Sequence, residues 1–511
     1  MIDKSAQIRK KYRWIALCIA VIAITRLPTL LEPILNIDEA DFAVQTAVWM
    51  DGGKPYIDFV EKKPPLIHMA YALAFEAGGV WNMQAVHILF MLIVIATGLI
   101  LVLAAERVGG SKARLPALLL FTAYQSGYDL NDFLAANTET LMNLFCAASI
   151  YFAAAGLKIR KQSSGWLTSG MMAGIACLAK PVAVVMIPAI VVGIISVRPK
   201  IDTFKTILKN IGLTTSGFII PLALCAFYLL GIGALEDAIR WVWLENVSYA
   251  TSMQSLSETL AMGATRIGIY VAASLPLWIL ALGHIVKFIR RGDLPAGEAV
   301  LFTWILLSFI TVSLGGRFFP HYFLQFIPPL TILAALGYTS WFAPFFRKKV
   351  ALLRTITYVV LIGPIVGFLA LHVIEIRKLP KKVAAERTIG AFISKTTLPD
   401  AKIFVWGHNS DIYFYSKRVP ASRFSYCSYL TNAREGFENL NRIDEPDDSS
   451  WQMLMSDLTE EPPDIIVDMS GTGIRGYDAY PIGGFNYLSS FMKPNYLISA
   501  NIYGAHIWKK N

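Results

Sequence analysis

A polytopic α-helical membrane protein with a soluble α/β domain at its C-terminal end is the fold class this sequence predicts. Three observations predict it. Hydrophobic residues make up 55% of the 511 residues and charged ones only 16%, against about 45–50% and about 25% in average soluble chains. Apolar runs long enough to approach a hydrocarbon core of ~30 Å, about 20 residues of helix, recur up to residue 374. From about residue 380 the composition turns to that of a soluble domain.

The apolar runs predict eleven spans, near 14–31, 85–105, 114–128, 138–156, 166–179, 182–197, 211–230, 264–286, 298–315, 323–342 and 355–374. The stretch 14–31 follows a basic segment as a signal peptide would. No small-residue cleavage site follows it, so it reads as an uncleaved anchor. The run 166–197 is too long for one crossing at 1.5 Å per residue, and a hairpin turning at Lys180-Pro181 divides it. The run 66–83 is apolar but interrupted by Glu76, Gly78-Gly79 and Asn82. Laid along the outer surface, it leaves every basic cluster on one side, as the positive-inside rule requires.

Those clusters are Lys4–Arg13, Arg107–Arg114, Lys158–Lys161, Arg198–Lys209, Lys287–Arg291 and Arg347–Arg354, and they hold 22 Lys and Arg residues. The predicted topology has an inside N-terminus and an outside C-terminus. It also explains the net charge of +10, which would otherwise suggest nucleic acid. The inner segments carry 22 basic and 4 acidic residues and the outer loops 6 and 14. The excess is therefore an orientation signal, and no nucleic-acid partner is expected. Two domains follow: residues 1–378 in the membrane, with an acidic first outer loop at 32–84, and an extracytoplasmic α/β domain at 379–511. Strand-like Lys402–Trp406 and Asp464–Val467 alternate there with helix-like Val383–Lys395 and Trp451–Leu458. The five cysteines offer no disulfide framework and read as small packing residues.

The outer loops hold the candidate chemistry. The first carries Glu32, Asp38, Glu39, Asp41, Asp51, Asp58, Glu61 and Glu76; the second carries Asp129 and Asp132, with Glu139 just inside the next helix. Ionisable groups where a chain re-enters apolar surroundings are costly, and tend to be paired or functional. A solvated acidic surface explains the same composition about equally well. Arg26, Lys62, Lys63, Lys180, Arg317 and His321 fall at the same end of the bundle. A lysine or arginine near a helix end most often snorkels to the interface, but clustered cations also suit a phosphodiester. A carboxylate that takes a proton, facing cations that steady a phosphate leaving group, is a group-transfer arrangement. The outer face has no nucleotide pool, so an activated donor there should arrive on a lipid.

Asp38-Glu39 after the first span, Gly53-Lys54-Pro55-Tyr56-Ile57-Asp58, and Glu61-Lys62-Lys63-Pro64-Pro65-Leu66 form an ordered set. It resembles the first outer loop of GT-C glycosyltransferases of the family 39-like group, which includes protein O-mannosyltransferases and the lipid A aminoarabinose transferase. Leu178-Ala179-Lys180-Pro181 and Arg317…His321-Tyr322…Pro328-Pro329 match the same group. The resemblance implies a GT-C fold in a bacterial plasma membrane. It implies an inverting transferase that moves one sugar from a polyprenyl-phosphate donor to a hydroxyl on a lipid, glycan or protein acceptor.

Carried over, the resemblance makes Asp38 the catalytic base, with Glu39 beside it in the motif. Lys63 and Lys62 would hold the donor phosphate, assisted by Lys180 and Arg317, while His321 and Tyr322 line the donor pocket. Relatives place an acid in the second outer loop, and here Asp129 and Asp132 compete. Asp132, before Phe133-Leu134, is the better placed, although Gly127-Tyr128-Asp129 stands where relatives carry an Arg. Asn137 and Glu139 would belong to the same site. His68 either lines the site or, more commonly for such a residue, packs at the interface. A divalent metal stays open, because acids of two loops could share one although no tight zinc or calcium spacing is present. Asn246-Val247-Ser248 fits a glycosylation acceptor pattern. Trp241, Trp243, Tyr249, Phe318 and Phe319 read as an interfacial aromatic belt.

Three other readings compete. A transporter or flippase of a lipid-linked sugar would place ionisable groups near mid-membrane and show paired halves, neither of which the sequence has. A GT-C oligosaccharide ligase would share much of the pattern, but the first-loop match favours a monosaccharide donor. A receptor working through its C-terminal domain would leave the ordered first-loop motif without a purpose.

Overall fold

The computed structural model describes residues 4–158, 163–197, 204–247, 256–292, 294–431 and 448–511. Ser248, Tyr249 and parts of the basic clusters at Lys158–Lys161 and Arg198–Lys209 lie outside the described residues. The membrane part is helical throughout: α1 (Lys4–Arg26), α2 (Ile37–Met50), α3 (Leu66–Gly78), α4 (Met83–Gly109), α5 (Arg114–Tyr124), α6 (Leu130–Phe133), α7 (Thr138–Lys158), α8 (Ser163–Ala179), α9 (Met186–Ser196), α10 (Phe204–Gly231), α11 (Leu256–Ala273), α12 (Leu275–Arg291), α13 (Ala296–Ser313), α14 (Ile327–Gly337) and α15 (Val350–Lys382).

This is a multi-pass membrane protein. Seven helices among the described residues are long and apolar enough to cross a bilayer, and eight if the bent pair α11–α12 counts as one span. That pair departs from the straight span expected over 264–286, because it turns by 88° between Ala273 and Leu275. Pro276 in the first turn of α12 has no N–H to continue the ladder and its ring clashes with the preceding turn. Ser274 Oγ bonds back to Tyr270 O at 2.6 Å. The segments expected at 114–128, 166–179 and 182–197 form helices of 11, 17 and 11 residues. They pack within the bundle, α5 on α4 and α14, α8 on α7 and α10, and α9 on α13. Their ends are therefore satisfied by protein rather than by spanning lipid. The 13 residues of α3 reach ~20 Å, which is short of a crossing.

After α16 (Ala384–Thr396) the chain builds a sheet with β1 (Lys402–Trp406), α17 (Asp411–Ser416), β2 (Val419–Pro420), α18 (Asp448–Glu460), β3 (Ile465–Asp468), α19 (Asn486–Asn495), β4 (Tyr496–Ile502) and β5 (Ala505–Lys510). Strand order is β2-β1-β3-β5-β4. β1 runs parallel to β2 and β3, and β5 runs antiparallel to β3 and β4. β1 and β3 are the two strands read from sequence. They are buried hydrophobic runs of the kind central parallel strands require.

The sheet domain is seated on the first loop and its neighbours. Ile389, Ile403 and Val405 share one apolar core with Ile67 and Tyr71. A second core joins Tyr56 and Val60 to Trp241, Phe404, Trp406 and Phe424. Trp241 is 1% exposed and meets Phe424 and Tyr429 edge-on. It therefore docks the sheet domain and does not belong to a lipid-facing belt. Phe318 is likewise buried, while Trp243 is exposed. The five cysteines are free, and all but Cys225 are buried.

Candidate active site

The site begins with the first turn of α2. Asn36 caps the helix, its side chain accepting from Glu39 N at 3.1 Å. Ile37, Asp38 and Glu39 then occupy the turn where negative charge complements the helix dipole. The two neighbouring acids point to different tasks. Asp38 is 30% exposed and lies 3.6 Å from Lys63 Nζ. Glu39 is fully buried and accepts from Leu35 N at 2.7 Å and Ala136 N at 2.6 Å, with His87 Nε2 at 3.0 Å. Its carboxylate joins the first loop to the second and to α4, so Glu39 braces these segments against one another.

Lys63 stands at the centre of the acids. Its Nζ is 3.8 Å from Glu61 and 4.7 Å from the Phe42 ring centroid, while Tyr56 OH donates to its carbonyl at 2.9 Å. Burial alone would lower its ammonium, but Asp38, Glu61, Asp41 and Glu139 raise it above the ordinary lysine value. Burial alone would raise Asp38, yet Lys63, His321, Lys180 and His408 hold its carboxyl below the ordinary range. Asp41 and Glu61, both buried, are raised chiefly by burial. Lys62 turns the other way, its Nζ 4.7 Å over the Tyr429 ring of the sheet domain. Its carbonyl accepts from Asn246 Nδ2 at 2.7 Å, so Asn246 is engaged inside the fold.

A second cluster faces the first. Lys180 ends α8 in an extended conformation, as the residue before a proline must. It is ion-paired to Glu139, and its Nζ lies 4.3 Å over the Tyr322 ring. His321 lies between two acids, with Nδ1 2.6 Å from Asp132 and Nε2 3.8 Å from Glu139. Its ring stacks on Phe319 at 5.6 Å. Asp129 caps α6 by accepting from Asp132 N at 3.0 Å, which distinguishes the two rivals: Asp129 shapes the turn and Asp132 reaches the cluster. The turn at 314–319 relies on Gly315 and Gly316, both at positive φ. Arg317 is buried within it.

The second loop is held by side chains from elsewhere. Arg26 Nη2 donates to Leu134 O at 2.7 Å, Tyr71 OH to Ala136 O at 3.1 Å, and Asn36 Nδ2 to Asn131 O at 2.9 Å. Arg26 therefore organises the loop and does not join the cation cluster. His68 is 1% exposed, edge-on to Phe42 and Phe59 and 3.2 Å from Thr46 Oγ1. Burial, reinforced by Lys63, lowers it to about 3. It is a neutral packing group behind the site.

Sequence reading assigned no role to Asp41, Glu61 or His408. Asp41 carried no signal beyond its place in an acidic loop, and Glu61 stood in the first-loop motif beside Lys62 and Lys63. His408 follows β1, 370 residues after Asp38, and its Nε2 lies 4.0 Å from Asp41 Oδ2. Among the described residues no group of three or more His, Cys, Asp or Glu is arranged to hold a metal ion. The acids meet cations of the protein, Asp38 with Lys63, Glu139 with Lys180 and Asp132 with His321. That donor set does not fit a divalent metal.

Comparison with known proteins bears on this arrangement. Residues 62–224 match the family model described as dolichyl-phosphate-mannose-protein mannosyltransferase, a stretch holding Lys62, Lys63, Asp132, Glu139 and Lys180. The crystal structure of ArnT from Cupriavidus metallidurans bound to undecaprenyl phosphate superposes with a TM-score of 0.65 at 15% identity, covering 97% of each chain. The chain has the GT-C fold. A second GT-C structure, the archaeal oligosaccharyltransferase AglB from Archaeoglobus fulgidus in complex with an inhibitory peptide and a dolichol-phosphate, gives a TM-score of 0.55 at 10% identity. It covers 98% of this chain and 74% of that one. No curated protein matches the sequence significantly.

Proposed function

We propose that this protein transfers a single sugar, with inversion, from a polyprenyl-phosphate donor to an acceptor hydroxyl at the outer face of the membrane. The observation that carries the reading is the partly exposed Asp38–Lys63 pair, lying within the field of Lys180 and His321. The ArnT neighbour binds undecaprenyl phosphate and the AglB neighbour dolichol-phosphate, and both support a lipid-phosphate donor. On this reading residues 1–378 form the catalytic domain and 379–511 a second, extracytoplasmic domain in a bacterial plasma membrane.

Each group then has a task. Asp38 takes the proton of the acceptor hydroxyl as its oxygen attacks the anomeric carbon from the face opposite the phosphate. The new C–O bond forms as the bond to phosphate oxygen breaks, and the leaving phosphate keeps the electron pair. Lys63, Lys180 and Arg317 steady that charge, and His321 and Tyr322 shape the donor pocket. Lys63 links the two events. While it pairs with Asp38 it holds that carboxylate in a weakly basic state, and engagement with the donor phosphate divides its charge. Asp38 then becomes a better base when donor is bound.

Asp38→Asn is expected to abolish transfer in a protein that still inserts and folds. Near-wild-type transfer would remove Asp38 as the base. Lys63→Ala is expected to weaken undecaprenyl phosphate binding more than acceptor binding, and equal losses would argue against a phosphate role.

A further inference from the structure

Resting on this reading of the site, we propose that the sheet domain supplies its acceptor half. His408, Tyr426 and Tyr429 form a shelf that takes a saccharide ring and presents its hydroxyl to Asp38. His408 and Tyr426 lie on the loops after β1 and β2, Tyr429 in the short helical turn Ser428–Thr431 that follows, and each is half-buried, as are Lys62, Lys63 and Asp38. The His408 ring stacks on Tyr426 at 4.6 Å with an interplanar angle of 12°. Tyr426 OH donates to Tyr429 OH at 3.0 Å, and Lys62 covers Tyr429.

The shelf is rigidly mounted. Ser428 Oγ lies 3.2 Å from His408 Nδ1, and Arg475 Nη1 donates to His408 O at 2.8 Å. Ser410, two residues on, donates to Asp41, and Gln45 Nε2 donates to Ser425 Oγ at 3.2 Å and to Val60 O at 3.1 Å. These bonds fasten both shelf loops to the helix that carries Asp38. Asp38 is close enough to His408 for each to influence the other's charge. Burial, with Arg475 adding to it, lowers His408 to about 3, and its Nε2 lies 4.0 Å from Asp41 Oδ2.

A saccharide matches this chemistry because its rings pair apolar C–H faces with hydroxyls. The shelf pairs aromatic rings with phenol, imidazole and serine groups. A peptide acceptor would more naturally add to a sheet edge. The β2 edge beside the shelf has two residues, one of them Pro420, which lacks an N–H. The saccharide could be a free glycan or the headgroup of a lipid.

The test separates donor from acceptor. Full-length His408→Ala, Tyr426→Ala and Tyr429→Ala proteins are assayed for undecaprenyl phosphate binding and for transfer in host membranes that contain both substrates. Undecaprenyl phosphate affinity should stay within about twofold of wild type while the acceptor KM rises about tenfold or more, corresponding to ~1.4 kcal/mol. Tyr429→Phe, which keeps the ring, should restore most of the loss; His408→Asn covers the case in which the alanine variant fails to fold, and should also raise acceptor KM. Equal losses of donor and acceptor binding, or unchanged acceptor KM, would overturn the proposal. So would mass spectrometry placing the added sugar on serine or threonine of a protein. Sugar on a soluble glycan or on an extractable lipid headgroup would each support it and identify the source. Failure of the wild-type protein to bind undecaprenyl phosphate would instead sink the donor reading on which the shelf depends.

Discussion

Adjacent residues of one motif divide into chemistry and support here. Asp38 and Glu39 differ by one position, yet one remains partly exposed beside Lys63 and the other is sealed among two backbone amides and His87. The 100° step between successive helical residues accounts for this, since it aims neighbours at different surroundings. Sequence alone ranks the two acids together, because their type and spacing are the same. Asp129 and Asp132 divide in the same way, into a cap and a partner for His321. Glu39→Ala would leave the amides of Leu35 and Ala136 buried without acceptors, so a loss of ~2–4 kcal/mol is expected. Glu39→Gln, which keeps one carbonyl, should lose less. Thermal unfolding of the purified variants checks the order, and an Ala variant as stable as wild type would deny the strut role.

At the scale of elements, the position of Lys180 depends on a close helix contact. On α8, a Cβ at Gly170 would come within 1.9 Å of Thr214 O, and one at Gly174 within 2.4 Å of Phe218 O. On α10, a Cβ at Gly217 would fall 2.1 Å from Leu167 O. Small residues at spacings of four let membrane helices approach backbone to backbone. Gly170→Leu should push α8 off α10, lower stability by ~1–3 kcal/mol and displace Lys180 from Glu139. A fall in both melting temperature and undecaprenyl phosphate binding is expected, and unchanged binding would show that the contact does not position the lysine. The span at 264–286 illustrates the opposite limit of sequence reading. Hydropathy sums over a break at Ser274–Pro276, whereas backbone hydrogen bonding does not.

Over the whole molecule, the sheet domain is fastened to the membrane part by polar bonds and two shared cores, so the candidate site forms where the two meet. The orientation proposed from charge has its own test. Reporter fusions at 110, 160 and 205 should all report the inner side, and one after 511 the outer side. Any of the first three reporting outside would break the topology and the interfacial placement of α3. Residue 160 lies outside the described residues, so that point rests on the sequence alone.

The sequence by itself determined the class of the molecule, because hydropathy, charge asymmetry and strand patterning are properties of local composition that survive in any arrangement. It also carried the first-loop motif, whose order lies in one continuous stretch. Which acids meet which cations was decided by tertiary structure alone. Asp38 and Lys63 are 25 residues apart, Asp132 and His321 189, and Asp41 and Ser410 369. Such pairs depend on helix packing and loop closure, and a linear pattern holds no distance between them. His408 is the clearest case, since nothing near it in the chain indicates the acids that the fold brings within reach.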